Sequence, residues 1–154
     1  MAGRIEAKLA ELGVELPQPM PPIASYVPFV ITGKLVVISG QLPAVGGKVA
    51  VTGKLGRWMA IDEGVRAARL SFINVLAHLK SACVELDRVR RVVRLGGFIA
   101  CDPDFSEHAK VMNGASDLAL AVFGEAGRHA RTTIGVPSLP LDAMVEVEGM
   151  FEID

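Results

Sequence analysis

From residue 61 onward apolar side chains recur at three- and four-residue intervals. Ile61, Val65, Ala68, Phe72, Val75, Leu76 and Leu79 form the stripe of a helix with one buried face. The spacing predicts a helix over 61–81, with Arg66, Arg69 and Lys80 mostly off the stripe. A second helix is predicted over 105–123 from Ala109, Met112, Ala115, Ala119, Val122 and Phe123. Asp104 or Ser106 would cap it and Gly124 would stop it. Elsewhere the period falls to two. Over 144–153, Val145, Val147, Phe151 and Ile153 fall on one side of a strand, and Glu146, Glu148 and Glu152 on the other. Residues 27–32 and 35–39 read as strands flanking a turn at Gly33-Lys34. The unbroken apolar run Leu35 to Ile38 suits a strand covered on both faces. Gly46-Gly47 marks another turn, with residues 49–51 extended after it. Residues 89–99 form a strand with Gly96-Gly97 as a bulge, and 130–136 form one ended by Pro137. At the start, Ile5, Leu9 and Leu12 have helical spacing, and Gly13 closes a short surface helix over 1–13. Pro17, Pro19, Pro21 and Pro22 then make a connector, so residues 1–20 are a helix and strap leading into the rest.

The order is helix, then β-β-(β)-α-β-α-β-β. It predicts an α+β sandwich: a mixed sheet with two long helices packed on one face, plus the short N-terminal helix. No internal repeat or low-complexity tract interrupts it. At 154 residues the chain fits a single domain over 1–154. With 51% hydrophobic residues and a mean hydropathy of +0.40 it is too apolar for a disordered chain. The longest charge-free stretch, residues 16–33, is broken by Pro17, Pro19, Pro21, Pro22 and Pro28, which argues against a membrane-spanning helix. The apolar surplus then suits a well-filled core and surface buried between subunits. Sixteen Lys and Arg against seventeen Asp and Glu leave a net charge of -1, unlike the basic excess of a nucleic-acid binder. Cys83 and Cys101 are the only cysteines. With no signal-peptide pattern over residues 1–12, they suggest free thiols in a reducing compartment, and the expected location is cytoplasmic.

Phosphate loops, Cys-x-x-Cys, His-Glu-x-x-His and Gly-x-Ser-x-Gly are all missing. His78, His108 and His129 are scattered and read as surface or packing residues, and no third or fourth zinc ligand joins them. No metal or cofactor is expected. The informative stretch is 130–136, where Arg131 heads a strand that is otherwise apolar or small. It either snorkels at the surface or forks onto a carboxylate or phosphate, with the hydroxyls of Thr132 and Thr133 beside it. Glu148 and Glu152 read as a solvated ladder. Glu146, taken to lie one strand along from Arg131, is the carboxylate suited to a cleft. In Ser39-Gly40-Gln41-Leu42-Pro43, Gly40 lets a ligand approach the backbone. Tyr26, the only tyrosine, suits a wall of a binding site.

Residues Ser25-Tyr26-Val27 and 38–43, the run Ala130-Arg131-Thr132-Thr133-Ile134-Gly135-Val136-Pro137-Ser138-Leu139-Pro140, and the closing Val145-Glu146-Val147-Glu148 occur in this order and spacing in one family. Over about residues 21–153 the chain resembles the RidA (YjgF/YER057c/UK114) family, in a longer-chain form. The resemblance implies a chorismate-mutase-like α+β fold assembled as a homotrimer with clefts between subunits. It implies hydrolysis of reactive enamines and imines such as 2-aminoacrylate to 2-keto acids and ammonia, without metal or cofactor. Arg131 would fork onto the carboxylate of a small substrate, and Glu146 would hold water and manage its proton. Ser39, Gly40 and Thr133 would line the pocket, and Tyr26 would close it. An imine carbon is already electrophilic, so such a site needs positioning and charge stabilisation rather than a strong nucleophile.

Two features depart from the family pattern. Thr133 stands where many members have cysteine, which removes thiol chemistry but keeps a hydrogen-bonding hydroxyl. The N-terminal helix and the stretch 52–60, with the only tryptophan, Trp58, are additions that would reshape the pocket or the trimer rim. Two other functions compete. One is a non-catalytic, regulatory module that binds small carboxylates in the same fold. The other is an endoribonuclease, which the net charge and the 5% aromatic content argue against.

Overall fold

In the computed structural model, which describes residues 2–19, 21–22, 24–56 and 59–154, helices and sheet share one continuous hydrophobic core. The elements are α1 (Arg4–Glu11), β1 (Phe29–Thr32), β2 (Leu35–Gln41), β3 (Ala44–Val45), β4 (Lys48–Val49), α2 (Ile61–Cys83), β5 (Val89–Ala100), α3 (His108–Phe123), β6 (Ala130–Val136) and β7 (Val145–Ile153). Five strands form the main sheet in the order β1-β2-β7-β5-β6, and β3 and β4 make a separate hairpin. β5 and β6 are parallel and joined through α3, whereas the other pairs are antiparallel. The mixed α+β sandwich expected from the periodicity is therefore present. No helix among the described residues is long and apolar enough to cross a membrane.

Strand β7 is the axis of the sheet because its alternation is uninterrupted. Val145, Val147, Phe151 and Ile153 are buried beneath the helices, and Glu146, Glu148, Met150 and Glu152 on the other face are only partly covered. Phe72, Val75, Leu76 and Leu79 of α2 are fully buried, as their spacing demands. Gly114 lets α3 close onto α2, because a Cβ there would run into the main-chain carbonyl of Val65. The opposite face of the sheet carries no helix. Val30, Val37 and Ile134 are substantially exposed on it.

Several local expectations change. The strand β2 is covered on one face only: Val36 and Ile38 are buried, and Val37 is exposed. Gly96 and Gly97 sit in register with both neighbours, and the irregularities of β5 fall earlier, between Val89 and Arg91 and between Val92 and Arg94. α3 begins at His108 after Glu107, with no side-chain cap, so neither Asp104 nor Ser106 caps it. The helix α1 is a constituent of the core rather than a surface appendage, because Ile5 and Leu9 are buried. Its N-terminus is capped from far along the chain. Asp87 accepts the N–H groups of Arg4 and Ile5, each at 2.8 Å. These two bonds hold the Asp87 carboxyl below its usual pKa. Trp58 and Arg57 lie outside the described residues.

Candidate functional site

β6 is an edge strand, and its alternation turns Arg131 and Thr133 toward α3 while Ile134 faces out. The Arg131 guanidinium reaches three neutral oxygens there. Nη1 donates to Asn113 Oδ1 at 2.9 Å and to Ser116 Oγ at 3.1 Å, and Nη2 to the Ala109 carbonyl at 3.5 Å. Among the described residues no carboxylate pairs with it. Its charge is held in place without being neutralised, the condition of an anion receptor.

A fourth residue supports this arrangement. His129 Nδ1 lies 2.6 Å from the Gly127 carbonyl, which can only accept, so Nδ1 carries a proton. In the neutral ring Nε2 then accepts from Ser116 Oγ at 2.8 Å, and the same oxygen accepts from Arg131. The chain of bonds from Gly127 through His129 and Ser116 thus fixes the direction of the guanidinium. Asn113 and Ser116 were not singled out in the sequence, and His129 was read there only as a surface or packing residue. Two signals were available: Asn113 and Ser116 are three apart on α3, and His129 stands two residues before Arg131, on the same side of an extended chain. Thr133 lies next along that side, and its hydroxyl is buried with no hydrogen-bond partner among the described residues.

Glu146 sits elsewhere. It is on the helix-free face, paired across β7–β5 with Phe98. Between β7 and β6 lies β5, so Glu146 is two strands and three residues of register from Arg131, about 14 Å in the plane of the sheet, and on its other face. The expectation that it lies one strand along is corrected on both counts. Glu146 is half-buried, with no cationic partner among the described residues. Burial, and then the neighbouring charge of Glu148, raise its pKa. Glu148 differs: it faces Arg94 at 3.5 Å.

Gly40 belongs with Glu146. β2 and β7 shift register between Ile38 and Gln41, and a Cβ at Gly40 would collide with the Glu146 carboxyl. Only glycine permits that approach. Ser39 spends its hydroxyl on the Val27 carbonyl at 2.8 Å and so anchors the segment before β1. Tyr26, half exposed, lines a cavity together with Gly40. The six residues therefore fall into two groups within one chain. Arg131 and Thr133 form the β6 edge, and Tyr26, Ser39, Gly40 and Glu146 form the β2–β7 side.

Cys83 and Cys101 are buried free thiols with pKa values raised chiefly by burial, as expected of inert cysteines. Cys101 Sγ lies 3.7 Å from His108 Nε2. No group of three or more metal-ligating side chains occurs among the described residues.

A family model described as "YjgF/chorismate_mutase-like, putative endoribonuclease" matches residues 6–153. Protein TCP17 of Trypanosoma cruzi is 45% identical over 156 residues, spanning 99% of this chain and 96% of that protein. Among solved structures, Atu1372 of Agrobacterium tumefaciens, described as of unknown function, is 48% identical. It superposes with a TM-score of 0.91 over 97% of this chain and 92% of its own. A protein of Shewanella oneidensis MR-1, described as a "putative endoribonuclease", is 38% identical with a TM-score of 0.94 over 98% and 100% of the two chains.

Proposed function

The chain belongs to the YjgF/chorismate-mutase-like family, and from that premise we propose that it is an enamine/imine deaminase whose site is completed between subunits. The observation that carries this reading is the Arg131 guanidinium, oriented by three neutral oxygens and left without a counter-charge. A small carboxylate is the ligand that such a fork takes up.

In this reading Arg131 and Thr133 of one copy meet the Gly40–Glu146 surface of the next in a homotrimer. The separation of the two groups within one chain supports a composite cleft, as do the apolar side chains exposed on the helix-free face. The Gly40 N–H and the Thr133 hydroxyl receive the substrate, and Tyr26 closes over it. Glu146, its pKa raised by burial, takes the proton of an attacking water as that water adds to the imine carbon. That proton passes to the nitrogen to give a carbinolamine (an enamine such as 2-aminoacrylate first tautomerises to its imine). The proton of the new hydroxyl then follows to the nitrogen as the carbonyl forms and the carbon–nitrogen bond breaks, and 2-keto acid and ammonia leave.

The test is release of 2-keto acid from 2-aminoacrylate generated in situ. The parent accelerates release, and Arg131→Ala, with unchanged thermal stability, does not. Parent-rate turnover by that variant sinks the assignment. A second reading, carboxylate binding without turnover, draws on Thr133 at the position where many family members carry cysteine. It is the reading to keep if the parent binds 2-keto acids but releases none.

A further inference from the structure

A cavity of about 430 Å³ lies on the helix side of β2, between the proline connector, the β3–β4 hairpin and α2. Its volume is that of a small-molecule site. Pro21, Pro22, Leu42 and Val49 supply apolar walls. Into this lining α2 sets His78, which is 3% exposed and has no hydrogen-bond partner among the described residues. A buried imidazole left unpaired is costly, and a cavity is where its partner has room to sit. Burial lowers its pKa, so the ring stays neutral and offers one donor and one acceptor.

The neighbouring polar groups narrow the ligand. Asn74 Nδ2 donates to the carbonyls of Leu42 at 2.9 Å and Ala44 at 3.0 Å, which fixes the amide and holds the hairpin against α2. The one formally charged side chain in the lining, among the described residues, is Lys48, exposed on the hairpin. No carboxylate lines the cavity among those residues. A single cation at the solvent side, apolar walls and a neutral imidazole deeper in complement a monoanion with an apolar body.

We propose that this cavity is a binding site for apolar monocarboxylic acids, distinct from the Arg131 edge, with Lys48 receiving the carboxylate and His78 bonding to the bound molecule. Gly40 walls this cavity and also faces the Glu146 carboxyl, so occupancy reaches the surroundings of Glu146 through that backbone. The site does not depend on turnover at Arg131.

Phenylacetate is the probe, titrated into the full chain and followed by calorimetry and by the ring resonances of His78. Saturable binding that shifts the His78 signals is expected in the parent and, unchanged, in Arg131→Ala. Lys48→Gln weakens it about fivefold, the worth of one solvent-side ion pair, and the uncharged amide phenylacetamide binds correspondingly less. His78→Phe, if folded, abolishes binding by filling the cavity. If it does not fold, Lys48→Gln and phenylacetamide carry the test. Absence of a saturable His78 shift at millimolar probe overturns the proposal, leaving a cavity that holds water only. So does binding lost in Arg131→Ala but retained in Lys48→Gln, which places the probe at the β6 edge.

Discussion

Arg131 and Glu146 are both half-buried ionisable groups without an ionic partner in the described chain, yet their surroundings are opposite. Three neutral oxygens hold the guanidinium, and a histidine fixes one of them. The carboxyl faces the backbone of Gly40 and the charge of Glu148, and its ionised form is penalised. The contrast separates two ways of preparing a charge for chemistry. One group is made rigid at full charge, which suits binding an anion. The other is biased toward its proton, which suits passing one on.

The strongest way to break this comparison is to put its halves on different copies. Arg131→Ala and Glu146→Gln should each lower turnover about a hundredfold or more. Co-assembled in equal amounts, the two variants should recover about a quarter of parental activity if each site takes one residue from each of two neighbouring subunits of a trimer. Absence of recovery in verified mixed assemblies would place both residues in the same copy's site.

A smaller effect tests the support behind the guanidinium. His129→Phe leaves Ser116 free to turn, and KM should rise about tenfold, the worth of one lost oriented hydrogen bond. An unchanged KM would leave His129 with a packing role. His129→Gln, which restores an acceptor, should recover part of the loss.

Smaller again is the pH dependence of stability. Because folding raises the pKa of Glu146, the folded state keeps this proton after the unfolded chain has released it. Its contribution to stability therefore declines as pH rises from the unfolded carboxylate value toward the raised one. Glu146→Gln removes that decline, so urea unfolding should find the variant gaining on the parent as pH rises above about 4, the ordinary carboxylate value. A parallel pair of profiles would mean the carboxyl is hydrated.

Asp87 has the reverse sign and the smallest effect. Its pKa is depressed by the N–H groups of Ile5 and Arg4, so its stabilisation is present above the unfolded value and is lost as pH falls through the folded one. Asp87→Ala should cost about 1 kcal/mol, the scale of an exposed helix cap, and should speed amide exchange in α1 first.

Much of the architecture was legible because it rests on periodicity. β7 and α2 follow from the spacing of Val145 to Ile153 and of Ile61 to Leu79. The start of α3 was not, because its first turn lacks a side-chain cap and nothing local distinguishes His108 from Phe105. β2 was misread as doubly covered because Val37 is apolar, and apolar side chains also occupy the exposed face of this sheet. The candidate residues were legible one by one, but their grouping was not. Which face Arg131 takes depends on register, and its distance from Glu146 depends on a strand order that only long-range pairing decides. Asp87 capping α1 across more than eighty residues is likewise invisible to any local pattern.

The sheet order also governs when the molecule can be assembled. β7 is the last of the five strands in the chain, yet it lies between β2 and β5 and hydrogen-bonds to both. During synthesis the β1–β2 hairpin and the β5–α3–β6 unit can form before residues 145–153 leave the ribosome, but nothing joins them along the sheet until then. A partly made chain therefore holds two strand edges, on β2 and β5, whose main-chain groups await their partner, and the strand that carries Glu146 is also the one that joins the two halves into a single sheet.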